Sequence, residues 1–202
     1  MRCSGLREYV YRLLRYYGGL LSRHGYVAGH GGNLSLRSGG SIYITRHGAR
    51  LEDLRPDDVI EVPLEGPSSL DAIASSEILL HRAVYLNGAQ HLAIVHTHSL
   101  YATAASYFLD ELKPLDVESA YVLRSIPIVE GPAGSAKLAE RVAEALKDHH
   151  AVVVRGHGVF TAAKVMDVAY RYACLVERSA MLWFLVETLK AQGLSQREVK
   201  EL

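Results

Sequence analysis

Four side chains of this 202-residue chain have the types and spacing to hold a divalent metal ion: Glu77, His96 and His98 on either side of Thr97, and His157 within Arg155-Gly156-His157-Gly158. Imidazole nitrogens and a carboxylate oxygen are the donors from which zinc, manganese, cobalt and iron(II) sites are built. The run from His91 to His98 reads as a strand, and side chains two apart on a strand share a face, so His96 and His98 point the same way. An isolated His-x-His is a weak sign, because a satisfied pair of strand histidines has the same spacing. Its company strengthens it: Glu77 follows Ser75-Ser76 at what reads as a helix start, and His157 sits between two glycines after the apolar run Ala151-Val152-Val153-Val154. Glycines beside a histidine fill a core poorly and suit a close approach of backbone to a ligand. The chain reads as a metalloenzyme.

Positioning these donors takes a small set of elements. Leu6, Val10, Leu13, Leu14, Tyr17 and Leu21 recur at helical spacing and predict an amphipathic helix over residues ~5 to 24. The glycine-rich passage after it leads into a hairpin whose second strand is Ser41–Thr45, and a further strand ends near Val62. Ser75 or Ser76 caps a helix running to Leu86 and stopped by Asn87-Gly88. The histidine strand follows, then a short helix over Tyr101–Phe108, an edge strand at Ile126–Val129, a helix over Ser135–Lys147, and a strand pair or bent strand around His157. Val168, Tyr172, Leu175, Leu182, Val186 and Leu189 mark a long last helix. With no internal repeat or linker, residues 1–202 assemble most simply as one α/β domain with a mostly antiparallel sheet and flanking helices.

Composition narrows the function classes. Basic and acidic residues number 22 each, so no global field recruits nucleic acid or an anionic membrane. Cys3 and Cys174 form no CxxC or disulfide framework and read as bystanders in a reducing compartment. No apolar run is long enough to span a bilayer, and the charged N-terminus is unlike a signal peptide, which points to the cytoplasm.

Five motifs occur in an order that is far more specific than any one of them: Gly32-Asn33-Leu34-Ser35, Ile44-Thr45-Arg46-His47-Gly48, Ser75-Ser76-Glu77, Val95-His96-Thr97-His98 and His157-Gly158. Through them the chain resembles the class II aldolase and adducin-head family over nearly its whole length, and within it the branch that cleaves L-fuculose 1-phosphate. The resemblance implies a three-layer α/β/α fold and one zinc ion held by Glu77, His96, His98 and His157, with manganese, cobalt or iron(II) as alternatives. It implies a phosphate pocket made by Gly32, Asn33, His47, Gly48, Ser75 and Ser76, an assignment that glycine-turn N–H groups and serine hydroxyls at a helix start favour independently. It further implies reversible cleavage of a ketose 1-phosphate to dihydroxyacetone phosphate and an aldehyde through an enediolate, with Glu77 as acid/base, and a homotetramer with active sites at subunit interfaces. No lysine Schiff base is required, and the chain has only six lysines.

The second acid/base is where this chain departs from that branch, which brings a tyrosine from a neighbouring subunit. Here the corresponding stretch is Pro114-Leu115-Asp116-Val117-Glu118-Ser119-Ala120-Tyr121, with Glu118 at the tyrosine position and Tyr121 three residues on. A carboxylate there resembles the methylthioribulose-1-phosphate dehydratases, so dehydratase stays open beside pentulose-phosphate 4-epimerase, decarboxylase and a non-catalytic adducin-like interaction module. The last tyrosine is Tyr172, so the C-terminal tyrosine of the aldolases is missing. His81, one turn after Glu77, reads as a core or surface histidine with a place behind the metal ligands as the alternative. His30 lies near the phosphate loop, while His24, His91, His149 and His150 read as solvated.

Overall fold

Val10, Leu14, Tyr17 and Leu21 recur every three or four residues and are all buried, which gives α1 (Arg2–Arg23) one inward stripe. The computed structural model describes residues 2–197, with side chains from Gly5 onward, so Cys3 lies outside the described side chains. After α1 come β1 (Asn33–Ser38), β2 (Ser41–Thr45), β3 (Val59–Pro63), α2 (Ile78–Asn87), β4 (Ala93–Thr97) and α3 (Leu100–Ala105). The short β5 (Glu111–Leu112), α4 (Val117–Leu123), β6 (Ile126–Val129), α5 (Ala136–Asp148), the hairpin of β7 (Ala151–Val154) and β8 (Gly158–Ala163), and the long α6 (Met166–Ala191) complete the chain. The strands form one sheet in the order β3-β2-β1-β4-β8-β7-β6-β5. Every pairing is antiparallel except β6 with β7, the mostly antiparallel sheet that the sequence predicts.

Side-chain alternation sorts the sheet's two faces. Ile94, Val152 and Phe160 pack under Leu80 and Val84 of α2 and Leu138 and Val142 of α5. From the opposite face Ala93 and Val95 meet Val10 and Leu14 of α1 and Ala169 and Ala173 of α6, and Val153 and Val159 meet Ala102 of α3 and Val176 of α6. The result is helices on both sides of a central sheet. His96 shares the face of Phe160, its cross-strand partner, and Asn33 stands opposite His96 on the other side, so Asn33, His96 and Phe160 form a row across three strands.

Several local expectations are corrected. Ile126–Val129 is not the edge: a two-residue β5, too short to register as a strand pattern, lies outside it with Glu111 opposite Pro127. The short helix predicted over Tyr101–Phe108 begins at Leu100 and ends at Ala105. Neither Ser75 nor Ser76 is the cap of α2; Glu77 holds that position without a side-chain cap bond, and Ser75 Oγ instead accepts the Glu77 N–H at 3.2 Å. Five of the eight residues of the 114–121 stretch are helix, because Asp116 caps α4 by accepting the Ser119 N–H at 3.0 Å. His91 is buried rather than solvated, its ring packed where any Cβ on Gly88 would stand and its Nε2 donating to Leu146 O at 2.9 Å.

The β4–β8 pairing depends on one missing methyl group. A Cβ on Gly158 would run into the carbonyl of Thr97 and stand 3.2 Å from His96 Cε1. Gly158→Ala is therefore expected to lower stability by about 1–3 kcal/mol through overpacking, read as a lower urea midpoint at unchanged slope. A wild-type midpoint would contradict the close approach.

Candidate metal centre and anion pocket

Three histidines from two strand ends converge. His96 is the penultimate residue of β4, His98 follows the strand, and His157 lies in the turn between β7 and β8. Their ring nitrogens lie within 4.8 Å of one another. His98 Nε2 stands 3.1 Å from His96 Nε2, close to the roughly 3.3 Å separation of two nitrogens sharing a tetrahedral zinc ion. His96 Nδ1 faces the Val159 carbonyl at 3.0 Å, and a carbonyl only accepts, so Nδ1 carries the proton and Nε2 offers its lone pair. The ring of Phe160 stacks on His96 with centroids 3.9 Å apart and fixes its orientation.

Each partner is anchored. The His98 N–H donates to Tyr26 O at 2.9 Å, and beyond His98 the buried Glu177 carboxylate takes the N–H groups of Tyr101 and Ala102, both at 2.9 Å, tying the start of α3 to α6. The His157 turn is held by Arg155, which donates to the carbonyls of Ser106 and Leu109 and to Asp110, and by Gly156 N–H on Ser106 Oγ. Gly156 has a φ of +67°, and a Cβ there would stand 2.7 Å from the Tyr107 hydroxyl. The glycines around His157 thus allow backbone to approach β4 and Tyr107, where the sequence suggested approach to a ligand.

Of the four expected ligands the structure clusters the three histidines, and Glu77, the N-cap of α2, stands beside His157 outside that cluster. It is 5% exposed, Oε1 lies 3.8 Å from His157 Nε2, and Oε2 is buried with no hydrogen-bond partner among the described residues. Buried polar atoms are ordinarily satisfied. An unused carboxylate oxygen beside three imidazoles, with His157 Nδ1 also unpartnered, is the pattern of a site made for something more than protein. Burial raises the Glu77 pKa above the ordinary carboxylate value. Burial is also the first cause that lowers all three histidines below 6.5, and neighbouring imidazoles lower His96 and His157 further. Neutral imidazoles and an adjacent carboxylate fit a divalent cation.

The donors open on a cavity of about 430 Å³, within the range of small-molecule sites. Gly32, Asn33, His47, Gly48, Ser75 and Ser76 all line it. A larger groove of about 540 Å³ beside Arg141 and Arg155 holds none of these groups. The loops are laced together: Ser75 N–H donates to Thr45 O at 3.1 Å, His47 N–H to Ile73 O at 3.0 Å, and His30 Nδ1–H to Gly48 O at 2.6 Å. His30, whose place near the phosphate loop made it a candidate to touch substrate, lines the cavity, and so does Arg46, to which the sequence pattern assigns no role.

Glu118 and Tyr121 do not join the cavity within one chain. Both are on α4, Glu118 paired with Arg171 of α6 at 3.0 Å and Tyr121 86% exposed. His81 is a core histidine, fully buried, with Nδ1 2.6 Å from Ser35 Oγ and its pKa pushed down to about 3 by burial. Cys174 is half-buried, and burial raises its thiol pKa.

The family described as Class II Aldolase and Adducin N-terminal domain matches residues 12–184. The chain is 37% identical over 172 residues to the L-fuculose phosphate aldolase of Methanococcus maripaludis strain C7, covering 85% of this chain and 94% of that protein. It is 29% identical over 187 residues to the 3-oxo-tetronate 4-phosphate decarboxylase of Escherichia coli K12, covering 89% and 88%. The crystal structure of L-fuculose-1-phosphate aldolase from Thermus thermophilus superposes with a TM-score of 0.87 at 33% identity, covering 93% of this chain and 98% of that one.

Metal-free protein at pH 7 is expected to take up one divalent cation per chain, and His98→Ala to weaken uptake by more than ~100-fold. A histidine whose pKa lies below 6.5 stays neutral as pH falls past 6.5, so retention should persist there and fail only as the lowered values are crossed. Isothermal titration between pH 5 and 8 checks both expectations. Uptake unaffected by His98→Ala, or half lost already at 6.5, would contradict them.

Proposed function

The chain belongs to the Class II Aldolase and Adducin N-terminal domain family, and we propose that it is a zinc-dependent aldolase that reversibly cleaves a ketose 1-phosphate, such as L-fuculose 1-phosphate, to dihydroxyacetone phosphate and an aldehyde. The observation that carries this reading is the convergence of His96, His98 and His157 beside a buried, half-unpartnered Glu77, in a cavity otherwise lined by serine hydroxyls, the Asn33 amide, glycines, two further imidazoles and Arg46. His96, His98 and His157 would hold the ion through neutral imidazoles, with Glu77 as the fourth donor only until substrate is bound, which leaves its carboxylate free to carry a proton. When bound, the ion supplies Lewis-acid polarisation of the substrate's carbonyl and neighbouring hydroxyl oxygens.

The protein's own groups manage binding and protons. Asn33, His47, Gly48, Ser75 and Ser76 hold the phosphate, which fixes the reacting carbons relative to Glu77. In the cleavage direction the C4 hydroxyl loses its proton, the C3–C4 bond breaks, the aldehyde leaves and C3 takes a proton. Glu77 delivers that last proton: its carboxyl is buried, its raised pKa holds a proton more readily than an exposed glutamate, and its Oε2 is not engaged by the protein. The proton at the C4 hydroxyl falls to Glu118 or Tyr121. Their exposure on α4 suits delivery to the cavity of a neighbouring subunit in a homotetramer.

Decarboxylation is the second reading, favoured by the likeness to 3-oxo-tetronate 4-phosphate decarboxylase. It uses the same metal and the same phosphate pocket and differs in the carbon bond that breaks. Incubation with pentulose and hexulose 1- and 5-phosphates and 3-oxo acid phosphates, with products resolved by mass, separates the readings. Two fragments support aldol cleavage. Loss of carbon dioxide, loss of water, or an isomer of unchanged mass overturns it in favour of decarboxylase, dehydratase or epimerase. Glu77→Gln should keep most of the bound metal and lose about 10²–10⁴ in turnover, the contribution of a positioned acid/base. Full activity in that variant would remove Glu77 from proton transfer.

A further inference from the structure

We propose that Arg46 is the specificity residue that makes this cavity select a phosphate dianion. The inference rests on the cavity being a sugar-phosphate site and adds a residue outside the glycine, histidine, serine and asparagine set that its motifs point to. Among the described residues, Arg46 is the only arginine that lines the cavity. Among those residues too, no carboxylate forms an ion pair with it, whereas nearby Arg50 is paired with Glu52 and Arg82 with Asp71. Its charge is unspent.

The position of Arg46 is built rather than incidental. Its N–H donates to Asp58 O at 2.7 Å and its carbonyl accepts the Ala49 N–H at 3.1 Å. It also bridges Ala74 directly before Ser75, so the backbone is pinned on both sides and the exposed Arg46 is held on the cavity wall with the two serines. The tight turn it opens is closed by Gly48, whose φ of +71° few other residues adopt. In the sheet, β2 is separated from β4 by β1 alone, which puts the Arg46 turn two strand spacings, roughly 10 Å, from the His96 strand. A phosphate one carbon from a carbonyl, met by an extended arginine, spans that interval.

Chemistry then identifies the ligand. The hydroxyls of Ser75 and Ser76 and the Asn33 amide can orient an oxyanion but carry no charge, and Glu77 opposes one. A phosphate monoester dianion therefore enters this cavity at a cost that the Arg46 guanidinium offsets, with a planar fork that matches two phosphate oxygens. A lysine at the same place supplies charge without the fork.

The test is titration of the metal-loaded protein with inorganic phosphate, and in parallel with acetate, at fixed ionic strength. Wild type, Arg46→Gln, Arg46→Lys and, as a surface-charge control outside the cavity, Arg50→Gln are compared. Arg46→Gln should weaken phosphate binding by about tenfold or more, Arg46→Lys by less, and Arg50→Gln hardly at all. With whichever sugar phosphate is turned over, Arg46→Gln should raise KM far more than it lowers kcat. Three results would overturn the proposal: phosphate affinity of wild-type strength in Arg46→Gln, an equal loss in Arg50→Gln, or loss of acetate binding with phosphate binding intact. Because the phosphate titration needs no turnover, a panel in which no ketose phosphate reacts would remove the aldolase reading and leave the Arg46 result standing. Turnover with unchanged phosphate binding in Arg46→Gln would do the reverse.

Discussion

The site depends on how closely the β7–β8 turn is allowed to approach the end of β4. Thr97 and Val159 face each other in the ladder, and Gly158 lies against the Thr97 carbonyl with no room for a side chain. That contact sets the separation of His157 from His96. The same register puts Val159 O against His96 Nδ1 and Phe160 against the His96 ring. One strand pairing thus fixes the tautomer, the tilt and the neighbours of the most buried imidazole of the three, and strands are precise supports for a site of this kind.

The second requirement is electrostatic. Three imidazoles share a space where none gains by carrying charge, and a carboxylate is buried beside them with an oxygen unused. Leaving a buried polar atom unpartnered costs about 1–3 kcal/mol. A fold tolerates that where function needs the group poised. Loop bonds from Ser75 to Thr45, His47 to Ile73 and His30 to Gly48 then set these loops against this centre, so one cavity brings the candidate metal ligands together with the residues proposed to hold a phosphate.

Much of this was legible in the residues because the chemistry is local in sequence. His-x-His on a strand, a histidine between glycines and a glutamate at a helix start each carry their geometry with them, and the chain's strand and helix patterns follow periodicities of two and 3.6. What was not legible depended on distant contacts. β5 has two residues and no pattern of its own. His91 looks solvated until Gly88 and Leu146 are seen around it. Arg46 stands in a motif whose histidine and glycine draw the assignment, and only the folded chain puts it on the cavity wall. Glu118 and Tyr121 stand exposed on α4, and a residue that acts across a subunit boundary leaves no trace in the contacts of one chain.

The central claim is that His96, His98 and His157 form a preorganised centre for one divalent ion next to Glu77. Anomalous diffraction from crystals loaded with zinc tests it most directly, with data on both sides of the metal absorption edge. The account predicts one strong peak per chain, bonded to a nitrogen of each of the three imidazoles. A peak elsewhere, or binding at this place through fewer than two of the histidines, would contradict it.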